Sequence, residues 1–239
     1  MVADVRNALL GGLALDDREA LTSELELTKL EVRQAIELPG HPITHVYFPD
    51  SGCISVMAQG ADGRRIEVAQ IGYEGLTGLG VVLGDNRAVN ELVVRIPGTA
   101  WRLPADRLTQ VMPMRPALYQ HLLRYVHAFI AQASQTALAH GRAKLQERLA
   151  RWLLMSQDRF QADKLITTHD FVAETLGVRR AGITLALHML ESKGLIKSAR
   201  NQITICDRRG LSEQANGSYG VAEAVYARLF GSDVSLSCD

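Results

Sequence analysis

Two hydrophobic periods run through the chain, and they change over near Pro116. Upstream, the short period dominates. Residues 45–48 are a strand candidate, closed by the turn Pro49-Asp50-Ser51-Gly52. Ile54, Val56 and Ala58 alternate with Ser55 and Met57, and Asp62-Gly63 is a hairpin signal, since glycine tolerates positive φ. Ile66 and Val68 follow at spacing two, before Gly72, Gly75, Gly78, Gly80 and Gly84 punctuate a loop-rich stretch. Residues 91–96 form a further strand ended by Pro97-Gly98, and residues 100–103 complete the set. Short strands with turn signals every ~8–12 residues predict a β-barrel or jelly roll. Ahead of them, residues 16–36 read as a partly amphipathic helix. Asp16, Asp17 and Glu19 sit at its start, where the helix dipole favours anions, and Pro39-Gly40 stops it.

From residue 116 the period is helical. Leu118, Leu122, Tyr125, Phe129, Gln132 and Thr136 fall at alternating four- and three-residue steps. Val126, Ile130, Ala133 and Ala137 widen this heptad-like seam, and no Gly or Pro interrupts it before Gly141. So wide a seam wants a partner, either the chain's own barrel or the same helix of a second copy. The six seam residues are the expected dimer interface. A second helix, residues 143–155, follows, with Arg148 and Arg151 flanking Leu145, Leu149, Trp152 and Leu153. Residues 157–164 read as a linker.

The next stretch carries the chemistry. Thr167 or Thr168 can cap a helix by accepting an orphan backbone N–H, and Phe171, Val172 and Leu176 make its apolar side. Ala173 is small enough for a second helix to cross closely. Gly177, four residues on, can take the positive φ that ends the first helix. Ile183 then faces back, continued by Leu187 and Leu190. This Ala–x3–Gly–x5–Ile spacing is the steric signature of a helix-turn-helix. Residues 195–197 and 202–205, around Arg200-Asn201, read as a two-stranded wing. The second helix would enter a DNA major groove with its N-terminus leading. Arg179 and Arg180 stand at that entrance, where arginine can bridge guanine O6 and N7 or grip phosphate. Thr184 and His188 share the outward face. Thr168, Lys193, Lys197 and Arg200 complete the candidate DNA contacts.

Charge sharpens this picture. The 239 residues balance to a net +0, yet residues 111–210 carry an excess of eight positive charges. Such asymmetry suits a region facing a polyanion. Cys53, Cys206 and Cys238 are odd in number and far apart, giving neither a zinc pattern nor a disulfide framework. No apolar run reaches ~18 residues, and the N-terminus has no long apolar core, so the expectation is a cytoplasmic chain without a membrane span. No HExxH, GxSxG or P-loop is present, and His121 and His127 are six apart, a poor spacing for one helix face. The reading is therefore not an enzyme. The rival is a signalling module responsive to a cyclic nucleotide or other small ligand, or a dimeric scaffold, without DNA binding.

HVYFPDSGCISVMAQGADGRRIEVAQIGYEGLTGLG and LGVRRAGITLALHMLESKGLI, in that order, resemble the sensor barrel and DNA-reading unit of the Crp/Fnr family of bacterial transcription regulators. The resemblance covers nearly the whole length. It implies an α+β chain: a jelly-roll (double-stranded β-helix) sensor over residues 1–112, a dimerisation helix over 113–141 and a winged helix-turn-helix over 142–210. A C-terminal extension, 211–239, ends in YGVAEAVYARLF, an amphipathic helix expected to cover the wing or the dimer. The implied partners are double-stranded DNA bearing an inverted repeat, a second copy of the chain, and RNA polymerase.

Two departures qualify the resemblance. The family's recognition helix opens with a small polar residue, then Arg, often Glu, with a second Arg later. Arg179, Arg180, Ala181 and Leu185 stand there, so only Arg180 matches. Ala for Glu removes an acceptor for a cytosine amino group. The cyclic-nucleotide binders carry a Gly-Glu pair for ribose and an Arg-Ser or Arg-Thr pair for the phosphate. Gly78-Leu79 and Arg87-Ala88 mark this candidate pocket, and Glu74 is out of register. Neither cAMP nor an iron–sulfur cluster is expected, since residues 1–52 hold no cysteine. Haem is not expected either: it would need axial ligands, for which only His41 and His45 offer themselves, and surface histidines are commoner.

Overall fold

A computed structural model describes residues 5–160 and 162–231. Cys238 and the end of the C-terminal extension lie outside the described residues.

The barrel is built from two antiparallel sheets. Strands β1 (Glu26–Leu30), β7 (Gly98–Pro104) and β3 (His45–Pro49) form one, in the order β1-β7-β3. Strands β2 (Ala35–Glu37), β6 (Glu91–Ile96), β4 (Cys53–Gln59) and β5 (Arg65–Ile71) form the other, in the order β2-β6-β4-β5. The hairpin between β4 and β5 turns where Gly63 takes φ +78°. Helices α1 (Ala8–Gly11) and α2 (Leu15–Thr22) precede the strands, α3 (Leu79–Val82) breaks the glycine-rich stretch, and α4 (Ala105–Val111) follows β7.

The helix expected over 16–36 is half wrong. It ends at Thr22, and the remainder is β1 and β2. The run Leu25-Glu26-Leu27-Thr28 alternates with period two. It pairs with β7 in the register Glu26↔Arg102, which satisfies backbone groups that a helix would satisfy locally. Arg33, at φ +67°, makes the turn between the strands.

Helix α5 (Pro116–Arg142) spans 27 residues, and α6 (Leu145–Phe160) follows after a break at Ala143. Here the expected dimer seam is corrected. Leu118, Leu122 and Tyr125 are buried with Leu76, Phe48 and Leu108 in the chain's own barrel core. Phe129 packs on the second barrel cluster, Gln132 exchanges hydrogen bonds with the Gln70 backbone, and Thr136 is buried. The six side chains thus face inward. The apolar stripe of the helix goes to the larger apolar surface, and that surface is intramolecular.

Beyond α6, β8 (Lys164–Ile166), β9 (Ile196–Ala199) and β10 (Gln202–Ile205) make a three-stranded sheet in the order β8-β10-β9. The wing therefore has a third strand, β8, which begins at the last residue of the segment read as linker and is too short to show a period. Helices α7 (His169–Thr175) and α8 (Arg180–Ser192) form the helix pair, α9 (Arg208–Gln214) packs on α6, and α10 (Val221–Phe230) packs on α5. Leu149, Leu153, Ile183, Leu187 and Leu190 form the common core; each such fully buried side chain contributes about 1.5–3 kcal/mol. The amphipathic C-terminal helix covers α5 and not the wing.

A polar seam joins α6 to the barrel. Arg159 Nε lies 2.8 Å from Glu74 Oε1, with the two side chains only 3% and 2% exposed. Trp152 Nε1 donates to Glu67 Oε1 at 3.1 Å, and the Arg95 guanidinium sits 4.0 Å over the Trp152 ring. Glu74→Gln leaves the Arg159 charge buried without its counter-ion. The expected cost is about 3–5 kcal/mol in urea unfolding, most of it recovered in the double variant Glu74→Gln/Arg159→Met. Unchanged midpoints for the single variant would show that the pair does not hold the two domains.

Candidate nucleic-acid interface and barrel cavity

The helix pair is assembled by local sterics. Thr168 caps α7, its hydroxyl accepting from the Phe171 amide at 3.2 Å. Ala173 and Ile183 are buried against each other's helices, and Gly177 makes the turn at φ +63°. Thr167, the other cap candidate, is buried.

Helix α8 divides cleanly. Ile183, Ala186, Leu187 and Leu190 are buried, while Arg180, Ala181, Thr184, Leu185, His188 and Met189 are exposed on the opposite arc. Arg179 stands at the N-cap position of the helix, makes no capping bond with its side chain, and is exposed. Arg180 Nη1 lies 3.3 Å from Asp170 Oδ2 across the mouth of the pair, and His169 Nδ1 is 3.1 Å from Thr184 Oγ1. Lys197 and Arg200 stand exposed on β9 and its turn, where Asn201 takes φ +58°. Lys193 is exposed too, its ammonium donating to Gln214. The chosen arginines, threonine, histidine and lysines therefore share the solvent side of one small domain.

That domain also rests on the barrel. Arg65 of β5 pairs with Glu91 at 2.6 Å and with Glu174 of α7. A Cβ added at Gly177 would lie 2.9 Å from Ile66 Cδ1, so the turn of the helix pair sits directly on β5. Arg148 donates to the Leu176 carbonyl just before that turn. Arg65, Ile66 and Glu174 were missed as site residues, because contacts across 109 positions leave no local period.

Gly78, Leu79, Arg87 and Ala88 line one cavity of about 220 Å3, with Ile43, Val56, Ile71 and Leu92 as apolar wall. Arg87 is exposed at its rim, Nη1 donating to the Gly40 carbonyl at 2.9 Å. The unforeseen member is Glu37, whose Oε1 accepts from the Gly78 amide at 2.7 Å. Burial pushes its carboxyl up to about 7, against the lowering effect of the Gly78 and Thr77 hydrogen bonds. It lies one residue past the stretch 16–36 that reads as helix, and no short-range pattern marks it. Elsewhere, His41 and His45 sit at the barrel surface, their Nδ1 atoms beside the Pro39 carbonyl and the Thr44 hydroxyl. Cys53 is buried, and burial pushes its thiol up to about 12.

Comparison with known proteins agrees with this two-part geometry. A family model for a cyclic nucleotide-binding domain matches residues 28–114, and one for a Crp-like helix-turn-helix domain matches residues 147–214. The chain belongs to the Crp/Fnr family.

As a Crp/Fnr chain it is a DNA-binding transcription regulator. It is 24% identical over 200 residues to the global nitrogen regulator of Synechococcus elongatus, covering 80% of this chain and 90% of that one. Its identity to the global nitrogen regulator of Nostoc sp. is 25% over 194 residues, covering 77% and 86%. In fold it is similar to FixK2 from Bradyrhizobium japonicum, with a TM-score of 0.69 at 19% identity over 80% of this chain and 96% of that one. A Crp/Fnr-family regulator from Eubacterium rectale gives 0.67 at 19% identity, covering 87% and 98%.

The Glu37 carboxyl makes the cavity sensitive to pH. Its folded-state pKa of about 7 lies above the ordinary 4.5, so its contribution is fully present below 4.5 and is lost as pH rises through 7. Glu37→Gln keeps an acceptor for Gly78 without the buried charge. The variant should match the parent near pH 5 and exceed its stability at pH 8.5, by an amount of order 2–3 kcal/mol. Thermal melts across that range check it; a gap that does not widen with pH would refute the assignment.

Proposed function

We propose that the chain binds an inverted-repeat operator as a homodimer, and that its barrel answers to something other than a cyclic nucleotide. The observation that carries the first part is the divided surface of α8, with every core residue on one arc and Arg179, Arg180, Thr184 and His188 exposed on the other. Arg180 reads a base edge, and Lys193, Lys197 and Arg200 hold backbone phosphates.

A second heptad supports the dimer. Leu123, His127, Ile130, Ser134, Ala137 and Gly141 repeat the four–three spacing on the outward side of α5, half-buried at Leu123 and exposed along the rest. Ile130 is 54% exposed in the single chain. Pairing this stripe with its copy would bury it and present two α8 helices to successive major grooves, ~34 Å apart. Contact with RNA polymerase completes the reading and rests on the family alone. Among the described residues no helix is long and apolar enough to cross a membrane, and the proposed place of action is the cytoplasm.

Against a cyclic nucleotide stand three features. Leu79 brings no carboxylate for ribose, Ala88 brings no hydroxyl for phosphate, and the Gly78 amide is already taken by Glu37. Above about pH 7, where Glu37 ionises, a phosphate beside it would also be repelled.

Selection from random duplexes tests the proposal. The recovered site should be an inverted repeat, and Arg180→Ala should weaken its binding by about 1–3 kcal/mol. Ile130→Glu, with the charge placed on the outward stripe, should turn the dimer into monomers in sedimentation and abolish two-site binding. A variant that still sediments as a dimer would move the interface elsewhere.

A further inference from the structure

The exposed arc of α8 carries more than the polar residues so far used. Ala181, Leu185 and Met189 recur at spacing four and so form one line along the helix. Leu185 is 61% exposed and Met189 is 36% exposed, whereas the neighbouring Ile183, Ala186 and Leu187 are buried to 3% or less. The core of the domain has therefore left Leu185 out. Guanidinium groups stand at one end of the line, at Arg179 and Arg180. Lys193 stands at the other, with Lys197 and Arg200 on the adjoining wing. An apolar strip inside a cationic rim is complementary to an apolar group inside a polyanion.

We propose that Leu185, flanked by Ala181 and the Thr184 methyl, reads the C5-methyl groups of thymine in the operator. This rests on the DNA-binding mode proposed above. Thymine methyl is the apolar feature of the major groove, and apolar side chains contact it there. Leucine offers neither donor nor acceptor. Placed over guanine it would leave O6 and N7 dry and unpaired, a cost that selects against that base. Ala181 offers no acceptor for a cytosine amino group, which removes the polar alternative on the same line. Arg180 and Leu185 thus divide the half-site, the first reading a purine edge and the second one or two adjacent thymines.

The test uses the full-length chain and its selected operator. Each thymine of a half-site is replaced singly by deoxyuridine, which deletes only the methyl. Affinity is then read by fluorescence anisotropy at one salt concentration. At one or two positions beside the Arg180 contact, binding should weaken about fourfold, the equivalent of the ~0.8 kcal/mol for one buried methyl. Leu185→Ala should weaken binding to the thymine duplex and lose the penalty for deoxyuridine at those positions. The side chain is exposed, so folding is spared, and circular dichroism confirms that. Sensitivity to deoxyuridine that persists in Leu185→Ala, or its absence from every position in the parent, overturns the inference while leaving operator binding intact. A selection that recovers no preferred sequence would instead overturn the proposed DNA-binding mode itself.

Discussion

The Arg159–Glu74 pair, sealed between α6 and the loop after β5, is the constraint on which the arrangement of the two domains depends. Burial alone would lower the Arg159 pKa. The surrounding anions, led by Glu74, outweigh it and raise the value, so the guanidinium stays charged inside the protein. A charge held there is costly anywhere but beside its counter-ion. The geometry is therefore sharply specified. Sliding α6 along the barrel by one residue would strand Arg159 and also withdraw its hydrogen bond to the Gln70 carbonyl at 3.2 Å. Apolar packing between the domains would tolerate such a slip far better.

A second set of contacts depends on that placement. With α6 fixed, the turn at Gly177 lands on Ile66, and Arg65 reaches Glu174. Strand β5 thereby serves two surfaces. Its Ile71 lines the barrel cavity, while Arg65, Ile66 and Glu67 meet the DNA-binding domain. Anything occupying the cavity acts on the helix pair only if it favours one position of β5 over another, since a ligand shifts an equilibrium by its differential affinity alone. Arg65–Glu174 is part-exposed and screened by salt, so it is the weaker clasp; the buried pair at Arg159 is the stronger.

Legibility in the sequence followed the range of the interaction. Ala173, Gly177 and Ile183 act on neighbours within ten positions, and their spacing alone places the helix pair and the exposed Arg180. Strands β3 to β7 were readable because period two and glycine turns are local. Glu37 was not, because it lies just past the stretch that reads as helix and its partner Gly78 lies 41 residues away. The DNA-reading face of α8 was legible for the same reason its core was: a 3.6-residue period sorts both arcs at once. The contacts on β5 and the third strand of the wing came only from tertiary pairing.

The two heptads of α5 show why pattern alone chose the wrong seam. One 27-residue helix carries Leu118, Leu122 and Tyr125 on one side and Leu123, Ile130 and Ala137 on another. Both satisfy the same spacing rule, and the rule is silent about which surface each meets. Apolar volume decides. The side bearing the larger residues is drawn to the barrel core, and α10 then closes over part of it. Tyr226 of that helix donates to the Glu74 carbonyl at 2.7 Å, and its Phe230 ring meets His121 edge-on. Just before α10, Tyr219 donates to Asp158 at 2.7 Å, which ties the same segment to α6. The C-terminal segment therefore spans from the DNA-binding domain back to the sensor. By sealing the inner stripe it leaves the outer one, smaller in side chain and richer in Ser, Ala and Gly, as the side of α5 on which two helices can approach closely.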